Sequence, residues 1–129
     1  SGTNFWPIVE KKFSCIGVTF HLATSKVDGG PIICQYRPLN LNINDSIHDI
    51  GNKTLKMGID KYPEILDHYS KHNVILKNQA SVNKEYKRKD ISENAVRIAL
   101  ENINSNSLQF YLENKIKMDK KYPIIKLNK

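Results

Sequence analysis

The sequence predicts an α/β protein in which a strand–loop–strand unit is followed by helices. Three observations carry this reading. Over residues 15–22, Ile16, Val18 and Phe20 alternate with Gly17, Thr19 and His21, the period of two expected of a strand. A second apolar run, residues 31–36 with Ile32, Ile33 and Cys34 in a row, follows a turn-rich loop over residues 25–30. Behind it Ile47, Ile50, Thr54, Gly58, Tyr62, Ile65, Leu66 and Tyr69 recur at helical spacing.

Taken in order, residues 4–12 suggest a short helix with Pro7 in its first turn, where a missing N–H costs nothing. The strand–loop–strand unit comes next, about twenty residues long. Asn42-Ile43-Asn44-Asp45 ends it and offers a helix N-cap at Asn44 or Asp45. Pro63 lies inside the long helical pattern and predicts a kink or restart, and His72-Asn73 closes it. After the brief apolar run Val74-Ile75-Leu76 the chain is polar and loop-like through Lys89. Asp90-Ile91-Ser92-Glu93 then has the pattern of a capping box with Asp90 as cap. Val96, Ala99, Leu100 and Ile103 supply an apolar stripe, and a last helix carries Leu108, Tyr111, Leu112 and Ile116. The tail over residues 122–129 reads as an edge strand or as extended chain. Two strands are too few for an independent sheet covered by three or four helices. Either the domain is helical with a hairpin attached, or other strands of its sheet lie elsewhere.

At 129 residues the chain suits one domain with its own core. No apolar run reaches the ~18–20 residues of a membrane span, and the first residues do not form a signal peptide. No membrane partner is expected. Cys15 and Cys34 are too few for a disulfide framework and have no metal-ligand spacing. Read as reduced thiols they suit a cytoplasmic protein, although sequence leaves their oxidation state open. The net charge of +7 attracts polyanions in principle. Yet Arg37, Arg88 and Arg97 are the sole arginines, and the lysines are scattered apart from residues 84–89 and 115–129. Lysine is the weaker choice for bidentate phosphate recognition, so a solvated basic surface is favoured over a nucleic-acid site.

Chemistry concentrates in His21-Leu22-Ala23-Thr24-Ser25-Lys26-Val27-Asp28-Gly29-Gly30-Pro31. A strand delivers a histidine, and an aspartate sits where the chain turns on two glycines that let a ligand approach the backbone. An acid beside an imidazole can share proton transfer with it or hold its tautomer. Asp-Gly is also an ordinary turn dipeptide, which is the competing explanation. His68 and His72 stand four apart on a helix, but no third ligand is evident beyond His48, and no metal site is expected. A phosphate-binding Gly-rich loop and a nucleophile elbow are both missing.

The stretch Gly17-Val18-Thr19-Phe20-His21, then Val27-Asp28-Gly29-Gly30-Pro31-Ile32-Ile33, then Gln35 resembles the folate-dependent formyltransferase family. That family includes the glycinamide ribonucleotide, methionyl-tRNA and sugar N-formyltransferases. Its members carry a Gly-Val/Thr-Thr/Ser-x-His strand, an Asp-x-Gly loop seven residues past the histidine, and an Ile-x-x-Gln strand. Gly2-Thr3-Asn4-Phe5-Trp6, the helix with Tyr62-Pro63, and Lys87-Arg88-Lys89-Asp90 extend the likeness. It covers most of residues 2–70 and, more loosely, 84–112.

The resemblance implies the C-terminal part of a Rossmann-like domain, with residues 1–70 in the catalytic core and 71–129 a helical extension. It implies 10-formyltetrahydrofolate as formyl donor and an amine as acceptor. Asp28 would help take the proton from the attacking amine, supported by His21. Ala23, Thr24, Ser25, Lys26, Val27 and Asp28 would line the pterin pocket, largely through backbone groups. The family's Asn-x-His motif is missing: none of His21, His48, His68 and His72 has asparagine two residues before it. The resemblance therefore implies a chain that begins mid-domain and is inactive alone.

About sixty residues follow the long helix, and they read as helices. That disfavours a tRNA acceptor and favours a nucleotide-linked amino sugar or similar small molecule. Glycinamide ribonucleotide is the alternative acceptor, because Asp28-Gly29-Gly30-Pro31 is close to that branch's loop. A non-catalytic module that forms a homo-oligomer, and a polyanion-binding domain, are the readings from other classes.

Overall fold

The computed structural model describes residues 4–79 and 86–127. Gly2 and Thr3 of the resemblance, and Lys84, Glu85 and the end of the basic tail, lie outside them. The elements are α1 (Trp6–Val9), β1 (Val18–His21), β2 (Ile32–Tyr36), α2 (Ile47–Lys71), α3 (Glu93–Asn104), α4 (Ser107–Glu113) and α5 (Lys115–Asp119). This is a mixed helical protein with one small antiparallel sheet of order β1-β2. Val18 pairs with Tyr36, Thr19 with Gln35 and Phe20 with Cys34, and an irregularity follows before His21 meets Ile32.

Strand β1 is shorter than its alternation predicts. Phe13–Cys15 forms a 3-10 turn that buries Phe13, and the strand begins only after Gly17, whose N–H donates to Asn4 Oδ1 at 3.0 Å. Beyond β1, β2 finds further partners. Ile32 exchanges two backbone hydrogen bonds with Lys77, and the Gln35 amide donates to the Ile125 carbonyl at 2.7 Å. The tail is thus extended chain laid against β2.

Helix α2 starts at Ser46, not at Asn44 or Asp45. Ser46 Oγ accepts from the Asp49 amide while Asp49 Oδ2 accepts from the Ser46 amide, a reciprocal box one residue beyond the expected cap. Asp45 is instead buried, accepting from the Asn42 amide and pairing with Lys53 at 2.8 Å. The helix runs unbroken for 25 residues through Pro63. Proline there removes the donor that the Ile59 carbonyl would use, and both residues sit on the exposed side where water can replace it. At Gly58 a Cβ would lie 3.2 Å from Val18 Cγ1, so the missing side chain lets α2 close onto β1.

The cap of α3 is likewise shifted. Ser92 accepts from the Ala95 amide, whereas Asp90 closes a small turn by accepting from the Lys87 amide. The buried face of α3 is then Ala95, Ala99 and Asn102, with Val96 and Leu100 exposed. The expected last helix divides at Asn114 into α4 and α5, which buries Leu108 and Tyr111 and leaves Ile116 in solvent.

One core joins Ile8, Phe13, Ile16, Ile50, Ala99, Leu108 and Tyr111, drawn from both halves of the chain. A smaller cluster of Ile33, Cys34 and Ile65 holds α2 to the sheet. Asn102 is the polar pin of the larger core: its Nδ2 donates to the Ile8 and Val9 carbonyls at 2.8 and 3.0 Å, satisfying the end of α1. Asn102→Ala should destabilise the fold by about 1–3 kcal/mol, because the half-buried Val9 carbonyl loses its donor and the buried Ile8 carbonyl keeps only the Lys11 amide. Urea unfolding would measure it, and an unchanged midpoint would show that the pin is idle.

A second polar cluster closes the end of β2. Asp119 accepts from Lys115 at 2.7 Å and from Tyr111 Oη at 2.9 Å, and Arg37 Nε lies 3.6 Å from its carboxylate. Burial opposes ionisation of Asp119, but the hydrogen bonds from Lys115 and Tyr111 help to outweigh it and hold the carboxyl below its ordinary value. Stability from this group is therefore complete above about pH 4 and is lost as pH falls through the lowered folded value. Burial and the Asp119 carboxylate raise the Tyr111 phenol, so its contribution is present below about pH 10 and lost in stronger alkali. Asp119→Asn should flatten the acid limb of melting temperature against pH. A limb as steep as in the unsubstituted protein would place the sensitivity elsewhere.

Candidate functional site

A cleft of about 710 Å³ opens on the sheet face opposite α2. Thr19 and His21 of β1 line it, with Gln35 of β2, Asp28 from the loop, Gln79, and Tyr122 from the tail. Alternation along β1 explains the division, since Val18 meets Gly58 and Phe20 meets Tyr62 on the α2 side.

His21 and Asp28 come together here. His21 Nε2 lies 3.9 Å from Asp28 Oδ1, with the imidazole 26% and the carboxylate side chain 91% exposed. The other ring nitrogen, Nδ1, is 3.0 Å from the Leu22 carbonyl. A carbonyl can only accept, so Nδ1–H donates to it and Nε2 is the ring nitrogen that faces the carboxylate. The present spacing exceeds a direct hydrogen bond and is within the span of one bridging water.

The loop geometry that presents Asp28 is costly and externally held. Asp28 has φ 54°, a left-handed conformation unfavourable for side chains. At Gly30 a Cβ would fall 1.8 Å from the Leu22 oxygen, so only glycine lets the loop return beside β1. Gln79 clamps the turn: its Nε2 donates to the Asp28 carbonyl at 2.8 Å and the Gly30 carbonyl at 2.7 Å. Sequence reasoning missed Gln79. It stands in a polar stretch 49 residues beyond Gly30, with no motif to single it out.

The other predicted binding residues are placed differently. Ala23, Thr24, Ser25, Lys26 and Val27 are exposed, with Val27 at 86%, and lead up to the cleft without walling it. Thr24 Oγ1 donates to the Lys26 carbonyl at 3.2 Å, and the Gly29 amide bonds the same oxygen. Among the described residues no group accepts from the amides of Ala23 to Asp28. Gln35 has a structural role: its Nε2 donates to Thr19 Oγ1 at 3.2 Å and its Oε1 accepts from the Ile125 amide at 3.0 Å. The two cysteines are both free thiols, Cys15 exposed and Cys34 buried, and burial pushes both thiols up. His68 and His72 stack at 4.5 Å between ring centroids. Among the described residues no group of three or more His, Cys, Asp or Glu could hold a metal, and no helix could cross a membrane.

Comparison with protein-family models, with curated proteins and with solved structures returned no match.

The strain at Asp28 is testable. Asp28→Gly should leave stability unchanged or raise it by up to about 1 kcal/mol, since glycine adopts the left-handed region freely. A loss in thermal unfolding would mean that the carboxylate stabilises its own loop. Gln79→Ala should speed hydrogen exchange at the Gly29 amide several-fold with little change in global stability. Exchange at the original rate would show that the clamp is dispensable.

Proposed function

We propose that this chain carries the aspartate side of a folate-dependent formyl-transfer site, acting on the amine of a small molecule such as a nucleotide-linked amino sugar. The observation that supports it most is the His21–Asp28 pair at 3.9 Å, with its tautomer set by the Leu22 carbonyl, at one end of the cleft.

A pterin needs backbone-like donors and acceptors beside a slot of adequate size. The cleft lies within the usual range of about 300–1,000 Å³ for ligand pockets. The unengaged amides of Ala23 to Asp28 stand at its approach. These residues fit such a group. 10-Formyltetrahydrofolate, when bound, supplies the activated formyl carbon and a nitrogen leaving group. Asp28, exposed and preset by the turn, accepts the proton that the attacking amine loses. His21 Nε2 faces that carboxylate and shares the proton through one bridging water. Gln79 keeps the turn closed while this happens.

The chain has no Asn-x-His pair to stabilise the developing oxyanion. The purified 129-residue chain is accordingly expected to bind a folate without measurable turnover, and formyl transfer at an enzyme-like rate would overturn the assignment of roles. The direct test is titration of the labelled chain with 10-formyl-5,8-dideazafolate, a stable donor analogue, followed by amide NMR. Shifts confined to residues 17–21 and 23–30 are expected. Saturating millimolar analogue with no shift there would sink the folate reading.

A further inference from the structure

We infer that β1 and α2 together form a self-complementary surface on which a second copy of this chain docks. The inference is independent of formyl transfer and rests on the sheet face away from the cleft.

Two observations coincide there. First, β1 pairs with β2 on one side, and among the described residues its other edge makes no backbone hydrogen bond. An open strand edge is a template for another strand. Second, α2 carries two adjacent apolar strips. Ile50, Thr54, Gly58 and Ile65 face the chain's own core. One residue further round, Leu55, Ile59, Tyr62, Leu66 and Tyr69 form a second strip, with exposures of 61, 63, 54, 54 and 38%. Its spacing is four, three, four, three, the heptad rhythm that keeps a seam facing another helix over four turns.

The contacts of α2 place this strip on the side of the open edge. Tyr62 stacks on Phe20 of β1, while its neighbour Lys61 lies over Tyr36 of β2. A two-fold axis beside β1 would therefore satisfy both features together. Antiparallel pairing of β1 with its copy gives a four-stranded sheet of order β2-β1-β1-β2, above the size at which a sheet becomes independently stable. The same axis sets the two α2 helices side by side at a normal helix-packing distance of about 8–10 Å, seam to seam. Each copy would bury an apolar strip on the order of 500 Å², the size of the largest patch a monomer exposes and often a functional one. The pair would total about 1,000 Å² before the strand edge is counted, enough for a reversible dimer. A lone helix partner would leave the strand edge open, and a lone strand would leave most of the seam exposed. A second copy covers both.

Sedimentation equilibrium of the 129-residue chain from about 1 to 500 µM should show the mass rising from 14.8 kDa toward twice that value. Hydrogen exchange of β1 amides should slow as concentration rises. Leu55→Asp and Ile59→Asp replace side chains that are already more than half exposed, so each should fold and each should weaken association at least tenfold. A chain that stays monomeric at 500 µM overturns the inference. So does a dimer that survives both substitutions, or one that forms without added protection of β1. Dimers lost on Leu55→Asp but lacking β1 protection would assign the seam to a helix-only partner and reject the sheet axis.

Discussion

The guanidinium of Arg37 sits where separate stretches of chain converge, and the cleft exists because it holds them. Its Nε donates to the Ser14 carbonyl at 2.6 Å, a second nitrogen donates to the Tyr122 carbonyl, and Asp119 balances the charge. Those contacts join the turn before β1, the end of β2, α5 and the tail. Lysine could not replace it, since a single ammonium lacks the planar fork that reaches two carbonyls at once. The Arg37 side chain is only 11% exposed, so its charge is tolerable only while Asp119 remains ionised beside it. Gln35 holds the tail at Ile125, and this knot holds it at Tyr122, which lines the cleft. Gln35 completes the arrangement by using both ends of its amide, one on Thr19 and one on Ile125.

Much of this was legible in the sequence, because local pattern and tertiary demand agree. The alternation around Val18 and Phe20, the apolar run at Ile32 and the long period of α2 each became the element expected of them. Ends were less legible. Asn44, Asp45 and Ser46 are all competent caps, and the choice fell to Ser46 because Asp45 is used by Lys53 and the Asn42 amide. Ser92 displaced Asp90 for a similar reason, the aspartate being committed to its own turn. Half of the expected α3 stripe, Ala99 and Ile103, meets the core, but small Ala95 and polar Asn102, rather than Val96 and Leu100, complete it. Close helix approach selects alanine there, and the carbonyls at the end of α1 select the amide.

The site was legible to the extent that it is local. His21 and Asp28 are seven residues apart on a strand and its turn, so local sequence brings them near each other, while the geometry of the turn is held from outside by Gln79. The clamp from Gln79 is a long-range contact made by a single polar side chain, and nothing in its neighbourhood distinguishes it from other surface glutamines. The same limit applies to α2. Tyr62, Leu66 and Tyr69 read together with Ile50, Thr54, Gly58 and Ile65 as one face, and the packing of Gly58 against Val18 divides that face into a strip the chain uses and a strip it leaves open.

That division gives the two faces of the sheet different duties. On one face the residues at odd positions of β1, Thr19 and His21, meet polar partners and open to a ligand-sized space. On the other face Val18 and Phe20 serve packing. A two-stranded sheet is marginal by itself, so the precision of the polar face depends on how firmly the apolar face is held. The strained turn at Asp28 adds to this dependence, since a left-handed aspartate survives only where the surroundings over-determine it. Gly30, Gln79 and the Leu22 carbonyl do so from the cleft side, and α2 does so from behind by fixing β1. Anything that further secures β1 along its open edge would therefore stiffen the imidazole and the carboxylate together, although neither lies at that edge.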